Sequence, residues 1–98
     1  MILVTGSVRA RPDSLDEVLR LSQEHVARSR MEPGCISHAV HVDCEDPLRL
    51  VFVECWTDMA ALRAHFVVPE SRAFGKALAT LAASPPDLQL YEASEVAP

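Results

Sequence analysis

Three consecutive segments decide the fold: Cys35-Ile-Ser-His-Ala-Val-His-Val-Asp43, the joint Cys44-Glu45-Asp46-Pro47, and Leu48-Arg-Leu-Val-Phe-Val-Glu-Cys-Trp56. The outer two are rich in β-branched and aromatic residues, and the joint carries the acidic residues and proline of a turn. So short a connection predicts an antiparallel hairpin of strands 35–43 and 48–56.

On the N-terminal side, Glu32-Pro33-Gly34 is a helix stop. Leu15, Val18, Leu19, Ser22 and Val26 precede it at helical spacing, which predicts a helix to about Met31, with His25 at its edge. Ser14-x-x-Glu17 has the form of a capping box at its start. Before it, residues 2–9 (ILVTGSVR) alternate with period two and predict a strand that ends at Pro12.

On the other side, Asp58 is placed to cap a helix over 59–67, which Pro69 interrupts. A further helix from about Ser71 carries Phe74, Ala77, Leu78 and Leu81 on one face and ends at Pro85-Pro86. Residues 87–95 alternate again as a last strand. The order is β-α-β-β-α-β with the second helical region in two pieces. That is a ferredoxin-like α+β fold, an antiparallel sheet with helices on one face, in a single domain over 1–98.

Composition narrows the function. Hydrophobic residues make up 49% and charged residues 23%, as in an ordered globular domain. Nine Lys+Arg against fourteen Asp+Glu give a net charge of −5, and no basic block offers a footprint for nucleic acid. No apolar run is long enough to span a membrane, and the N-terminal residues lack the pattern of a signal peptide. Three cysteines (Cys35, Cys44, Cys55) without metal-site spacing lead to the expectation of reduced thiols in a cytoplasmic protein.

Period-two arithmetic sorts the strands into two faces. One set holds Ile2, Val4, Val8, Ile36, His38, Val40, Val42, Val51, Val53, Cys55, Leu88 and Leu90. The other holds Leu3, Thr5, Ser7, Cys35, Ser37, Ala39, His41, Leu50, Phe52, Glu54, Trp56, Gln89 and Tyr91. Every strand carries apolar residues on both parities, yet the helices cover only one face. The expectation is a homodimer that packs sheet on sheet.

Chemistry concentrates between Glu54 and His65. Glu54 and Trp56 lie two apart on a strand and point the same way. A carboxylate there needs a partner. It is either a satisfied structural group or a proton-accepting one. Trp56 is either core or a flat wall for an aromatic ligand, facing the small residues Cys35, Ser37 and Ala39. His65, between Ala61, Leu62 and Phe66, is either structural or the acid/base group of a site at neutral pH. His38 and His41, three apart on a strand, point to opposite faces. No local metal-binding spacing and no Gly-rich phosphate loop occurs, so no metal and no cofactor is expected.

Ser29-Arg30-x-Glu32-Pro33-Gly34-Cys35, Asp46-Pro47, Glu54-x-Trp56-x-Asp58-x-x-Ala61-Leu62-x-Ala64-His65, Pro69 and Phe74 together resemble the antibiotic biosynthesis monooxygenase domain, whose members include small quinol-monooxygenase-like proteins. The resemblance implies a dimeric α+β barrel of two ferredoxin-like protomers, with a pocket between each sheet and its own helices. It implies cofactor-independent oxygenation of a small aromatic phenol or quinol by O₂, the deprotonated substrate supplying the electrons. On that model His65 accepts a proton, Glu54 orients a partner and Trp56 lines the pocket. Ser7, Phe52, Phe66, Phe74 and His41 complete the substrate site. Haem-degrading relatives carry an asparagine near Ser7 and a histidine on the late helix, where Phe74-Gly75-Lys76 stands here, which disfavours that activity. An isomerase of a small carbonyl compound and a non-catalytic small-molecule-binding dimer are the alternatives on the same scaffold.

Overall fold

The hairpin forms as β2 (Cys35–Asp43) and β3 (Asp46–Trp56), paired antiparallel with Val40 opposite Phe52 and Val42 opposite Leu50. A computed structural model describes all 98 residues, Met1–Pro98. Around the hairpin stand β1 (Ile2–Arg9), α1 (Leu15–Ser29), α2 (Met59–Val67), α3 (Pro69–Leu81) and β4 (Asp87–Glu92). The four strands lie in the order β2-β3-β1-β4, every neighbouring pair antiparallel. This is the ferredoxin-like α+β arrangement, the second helical region divided as expected.

Two boundaries are governed by backbone chemistry. Gly34 turns the chain from α1 into β2 at φ +83°, a left-handed conformation that an L side chain rarely adopts. Asp58 caps α2 by accepting from the Ala61 amide at 2.8 Å. Pro69 does more than interrupt: it is the first residue of α3, where its missing N–H leaves no intrahelical bond unmade. The expected capping box at Ser14 does not form. The Ser14 hydroxyl instead donates to the Leu81 carbonyl at 2.7 Å and accepts from the Arg11 amide, while Glu17 turns to Arg20. Ser14 therefore ties the start of α1 to the end of α3, a tertiary bond that displaces the local one.

The sequence-based sorting of the faces needs one correction. Val4 pairs with Glu54, Gly6 with Phe52 and Val8 with Leu50, so the even-numbered residues of β3 share the helix-covered face with those of β1. His38 and Val40 join them from β2. Leu50, Phe52, Glu54 and Trp56 are thus inside, while Val51, Val53 and Cys55 lie on the open face with Ser37, Ala39 and His41. A β-bulge between Cys35 and Ser37 adds Ile36 as an extra residue and leaves it 55% exposed. Parity along one strand is fixed by its sequence. Parity between strands is fixed by register, which sets the inward parity of β3, while the bulge moves only Cys35 across to pair with Trp56.

Two apolar clusters fill the space under the helices. The larger joins Val8, Ala10, Leu50 and Phe52 of the sheet side to Val18, Val26 and Leu78. The smaller is Ile2, Val4, Trp56 and Leu62. Burial of one such side chain stabilises by about 1.5–3 kcal/mol. The molecule is a slab of 40 × 35 × 20 Å with 6066 Å² of accessible surface. A chain of this mass typically exposes roughly 5,500 Å². The excess is that of a two-layer structure with one sheet face uncovered.

Candidate active site

Between the two clusters the core is interrupted by polar groups. α1 buries Val18, Ser22, His25, Val26 and Ser29 on one stripe. The spacing that buries Ser22 also carries His25 inward, so His25 is a core residue and not the edge residue expected. β2 contributes His38, only 2% exposed, and α2 contributes His65, 3% exposed. The three imidazoles meet: ring centroids are 5.3 Å apart for His25 and His38, 5.2 Å for His25 and His65, and 5.7 Å for His38 and His65. One nitrogen from each lies within 4.8 Å of the others. Residues 25, 38 and 65 form no local motif, which is why spacing did not disclose a set able to hold a metal ion.

Two carboxylates approach this cluster. Glu32 Oε1 lies 2.8 Å from His65 Nδ1. Glu54 Oε1 accepts from Trp56 Nε1 at 2.9 Å and lies 3.2 Å from His38 Nε2. That second contact is off the line of a directed hydrogen bond, and both His38 nitrogens are without a hydrogen-bond partner. Burial alone would raise the Glu54 pKa. The adjacent His38 ring, and then the Trp56 N–H and the nearby His65 ring, hold it below the usual carboxylate value. His25 is shifted down to about 3, by burial first and then by repulsion from His38, His65 and Arg28. At neutral pH His25 is therefore uncharged. Arg28 Nη2 lies 2.7 Å from its Nδ1 and can only donate, so Nδ1 accepts.

Beside the cluster opens a cavity of about 280 Å³. Its polar wall is His25, His65, Glu54 and Ser71, and its apolar wall includes Phe52, Phe66, Phe74 and Leu78. Phe74 stacks on His25 with centroids 4.1 Å apart and planes within 10°. Gly6 forms part of the floor. A Cβ there would sit 3.1 Å from Leu88 Cδ1 and 3.2 Å from the Asp87 carbonyl, so the absent side chain lets β1 and β4 meet beneath the cavity.

The structure distributes the anticipated residues unevenly. His65, Glu54, Phe52, Phe66 and Phe74 all line the cavity, and Ser7 borders it between Gly6 and Val8. His41 lies exposed on the opposite face of the sheet and does not reach it. Trp56 is not a wall. It is fully buried beneath His65, ring centroids 4.7 Å apart, and acts through its bond to Glu54. Ser37 and Ala39 are not opposite it, because register puts them on the other face. Sequence reasoning missed Glu32, which looked like part of a turn and pairs with a residue 33 positions away. It also missed His25, whose helical spacing was the available signal.

The ferredoxin-like sheet and its own helices hold between them a half-open cavity with a largely apolar wall. The antibiotic biosynthesis monooxygenase family model matches residues 1–77, and the chain belongs to that family. A crystal structure of an antibiotic biosynthesis monooxygenase superposes with a TM-score of 0.89 at 29% identity, over 97% of this chain and all of that one. A second, from Deinococcus radiodurans and described as a putative member, gives 0.94 at 23% identity over 100% of this chain and 97% of that one. These confirm the expected family and the ferredoxin-like fold. An uncharacterized protein of Synechocystis is 35% identical over 94 residues, and the chain spans 64% of that relative's length. No helix is long and apolar enough to cross a membrane.

Proposed function

We propose that the protein is a monooxygenase that oxidises a small aromatic phenol or quinol with O₂. The observation that carries this reading is the His65–Glu32 pair at the wall of an aromatic-lined cavity. Glu32 accepts from Nδ1–H, which leaves the Nε2 lone pair of the neutral ring to take a proton from a bound phenol. Phe52, Phe66 and Phe74 supply apolar surface for a flat ring. For a benzoquinol the balance is C₆H₆O₂ + O₂ → C₆H₄O₃ + H₂O. The deprotonated ring is the electron donor, one oxygen atom enters a C–H position, and the other leaves as water. Glu54, fixed by Trp56, holds a negative charge beside His38 and is the orienting group.

The active unit is proposed to be a homodimer. The open face presents Leu3, Ala39, Val51, Val53, Cys55 and Tyr91, and a second copy of the same sheet is the covering that suits it.

Oxygen consumption with a panel of hydroquinones and anthrones tests the activity. His65→Ala, with folding confirmed by circular dichroism, should lower uptake by about 10²–10⁴-fold. Equal uptake in the variant and the parent rejects the role of His65. Two carboxylate–imidazole pairs also suit proton shuttling in a small carbonyl compound. Turnover that persists without oxygen would favour that isomerase instead.

A further inference from the structure

We infer that His25, His38 and His65 form a binding site for a late first-row divalent metal ion, with its open coordination position facing the cavity. The site goes beyond the oxygenase reading, which needs no metal. Three observations carry it. The first is convergence: α1, β2 and α2 each deliver one buried imidazole, with one nitrogen from each within 4.8 Å of the others and no hydrogen bond between any two rings. A tetrahedral ion with metal–nitrogen bonds of about 2.0–2.1 Å sets nitrogens roughly 3.4 Å apart, so the rings must draw in from their present separation to hold it.

The second is the His38 side chain, which is wholly inaccessible to solvent and has both nitrogens unpartnered. Buried polar atoms without partners are rare and costly. A metal ion at the centre of the cluster supplies the missing partner. The third is the surrounding shell. Glu32 accepts from the far nitrogen of His65, the carboxylate–histidine arrangement that orients a metal-bound imidazole and raises its basicity. Glu54 adds a second carboxylate 3.2 Å from His38, so two carboxylates adjoin the cluster, against Arg28 at His25 and Arg30, whose Nε donates to the His38 backbone carbonyl at 2.8 Å.

All-imidazole donors select zinc, copper, nickel, cobalt or iron rather than calcium or magnesium. His25 and His65 line the cavity and give the ion its entry path, and the fourth position opens into the same space. Arg28 opposes loading. Its donation to His25 Nδ1 keeps the ring proton on Nε2 in the neutral form, and the ion must displace that proton. Metal occupancy also takes the His65 lone pair that phenol deprotonation requires, so the two events compete at one atom.

Untagged protein, stripped with chelator and titrated with cobalt(II), tests the site. One ion per chain is expected, with the visible d–d bands of a low-symmetry nitrogen site that zinc(II) abolishes. His38→Gln and His65→Gln should each weaken binding at least about 100-fold, and Glu32→Gln about 10–100-fold. His41→Gln, on the opposite face, should bind as the parent does. Arg28→Met should bind more tightly, a gain that mere disruption of folding does not produce. Absence of the bands, or binding that survives in the His38→Gln/His65→Gln pair, overturns the inference. Oxygen uptake that continues with chelator present, in a protein that binds no cobalt, overturns the metal site and leaves the oxygenase reading standing. Cobalt binding without uptake on any phenol does the reverse.

Discussion

At the scale of single residues, the site is shaped by the cost of burying polar groups. His25 titrates near 3 in the folded protein, against a usual value of 6.5. Between those values the unfolded chain binds the additional proton, so stability falls as pH drops below about 6.5 and the loss levels off near 3. The slope reaches at most about 1.4 kcal/mol per pH unit. Thermal melts of the parent and His25→Gln between pH 7 and pH 4 should diverge, with the variant the flatter of the two. Parallel curves would mean that His25 is protonated in the fold. Glu54 acts at lower pH and with the carboxylate's sign. Its lowered value stabilises the fold above the unfolded carboxylate's pKa, and that contribution is lost as pH falls through the folded one. His25 and Glu54 were both in plain view in the sequence. Only Glu54 drew attention, because a lone acid in an apolar strand is conspicuous and a histidine among helix polar residues is not.

At the scale of elements, the turn from α1 into β2 fixes where Glu32 meets His65. Gly34 has φ +83°, and a Cβ there would lie 2.5 Å from Ala61 Cβ and 2.8 Å from Thr57 Oγ1. Gly34→Ala thus incurs both a left-handed backbone penalty and a clash with α2. A loss on the order of 2–4 kcal/mol is expected in urea denaturation, with the slope unchanged. Because the clash pushes α2 away from the turn, the Glu32–His65 contact should loosen as well. A variant as stable as the parent would show that the turn relaxes freely. The sequence announced this turn through Pro33-Gly34 and the α2 start through Asp58. The capping box at Ser14 was equally plausible locally and was overridden, because the Leu81 carbonyl offered the hydroxyl a tertiary partner.

At the scale of the whole molecule, the slab has helices on one side and bare sheet on the other. Val40 packs against the larger core cluster, whereas Val53 is 36% exposed on the open face. Val40→Asp should destabilise or unfold the chain, since a charge there enters the core. Val53→Asp should leave the protomer folded and split the proposed dimer, as sedimentation velocity would show by a halved mass with an unchanged circular dichroism spectrum. A parent that sediments as a monomer at all concentrations removes the dimer. The apolar content of both faces was visible as strand alternation. Which residues occupy each face was not, because the pairing of β3 with β1 and β2 sets which of its parities faces inward, and no pattern within one strand states that register.

By itself the sequence determined the elements, their order and the apolar character of both sheet faces. These depend on periodicity, turn residues and caps, all of which act over a few neighbouring positions. Tertiary structure alone decided that residues 25, 32, 38, 54 and 65 converge, that 25, 54 and 65 reach the cavity wall, and that His38 and Trp56 lie behind it. Such convergence depends on strand register and on how α1 and α2 cross the sheet. Those are long-range packing outcomes that no local pattern encodes.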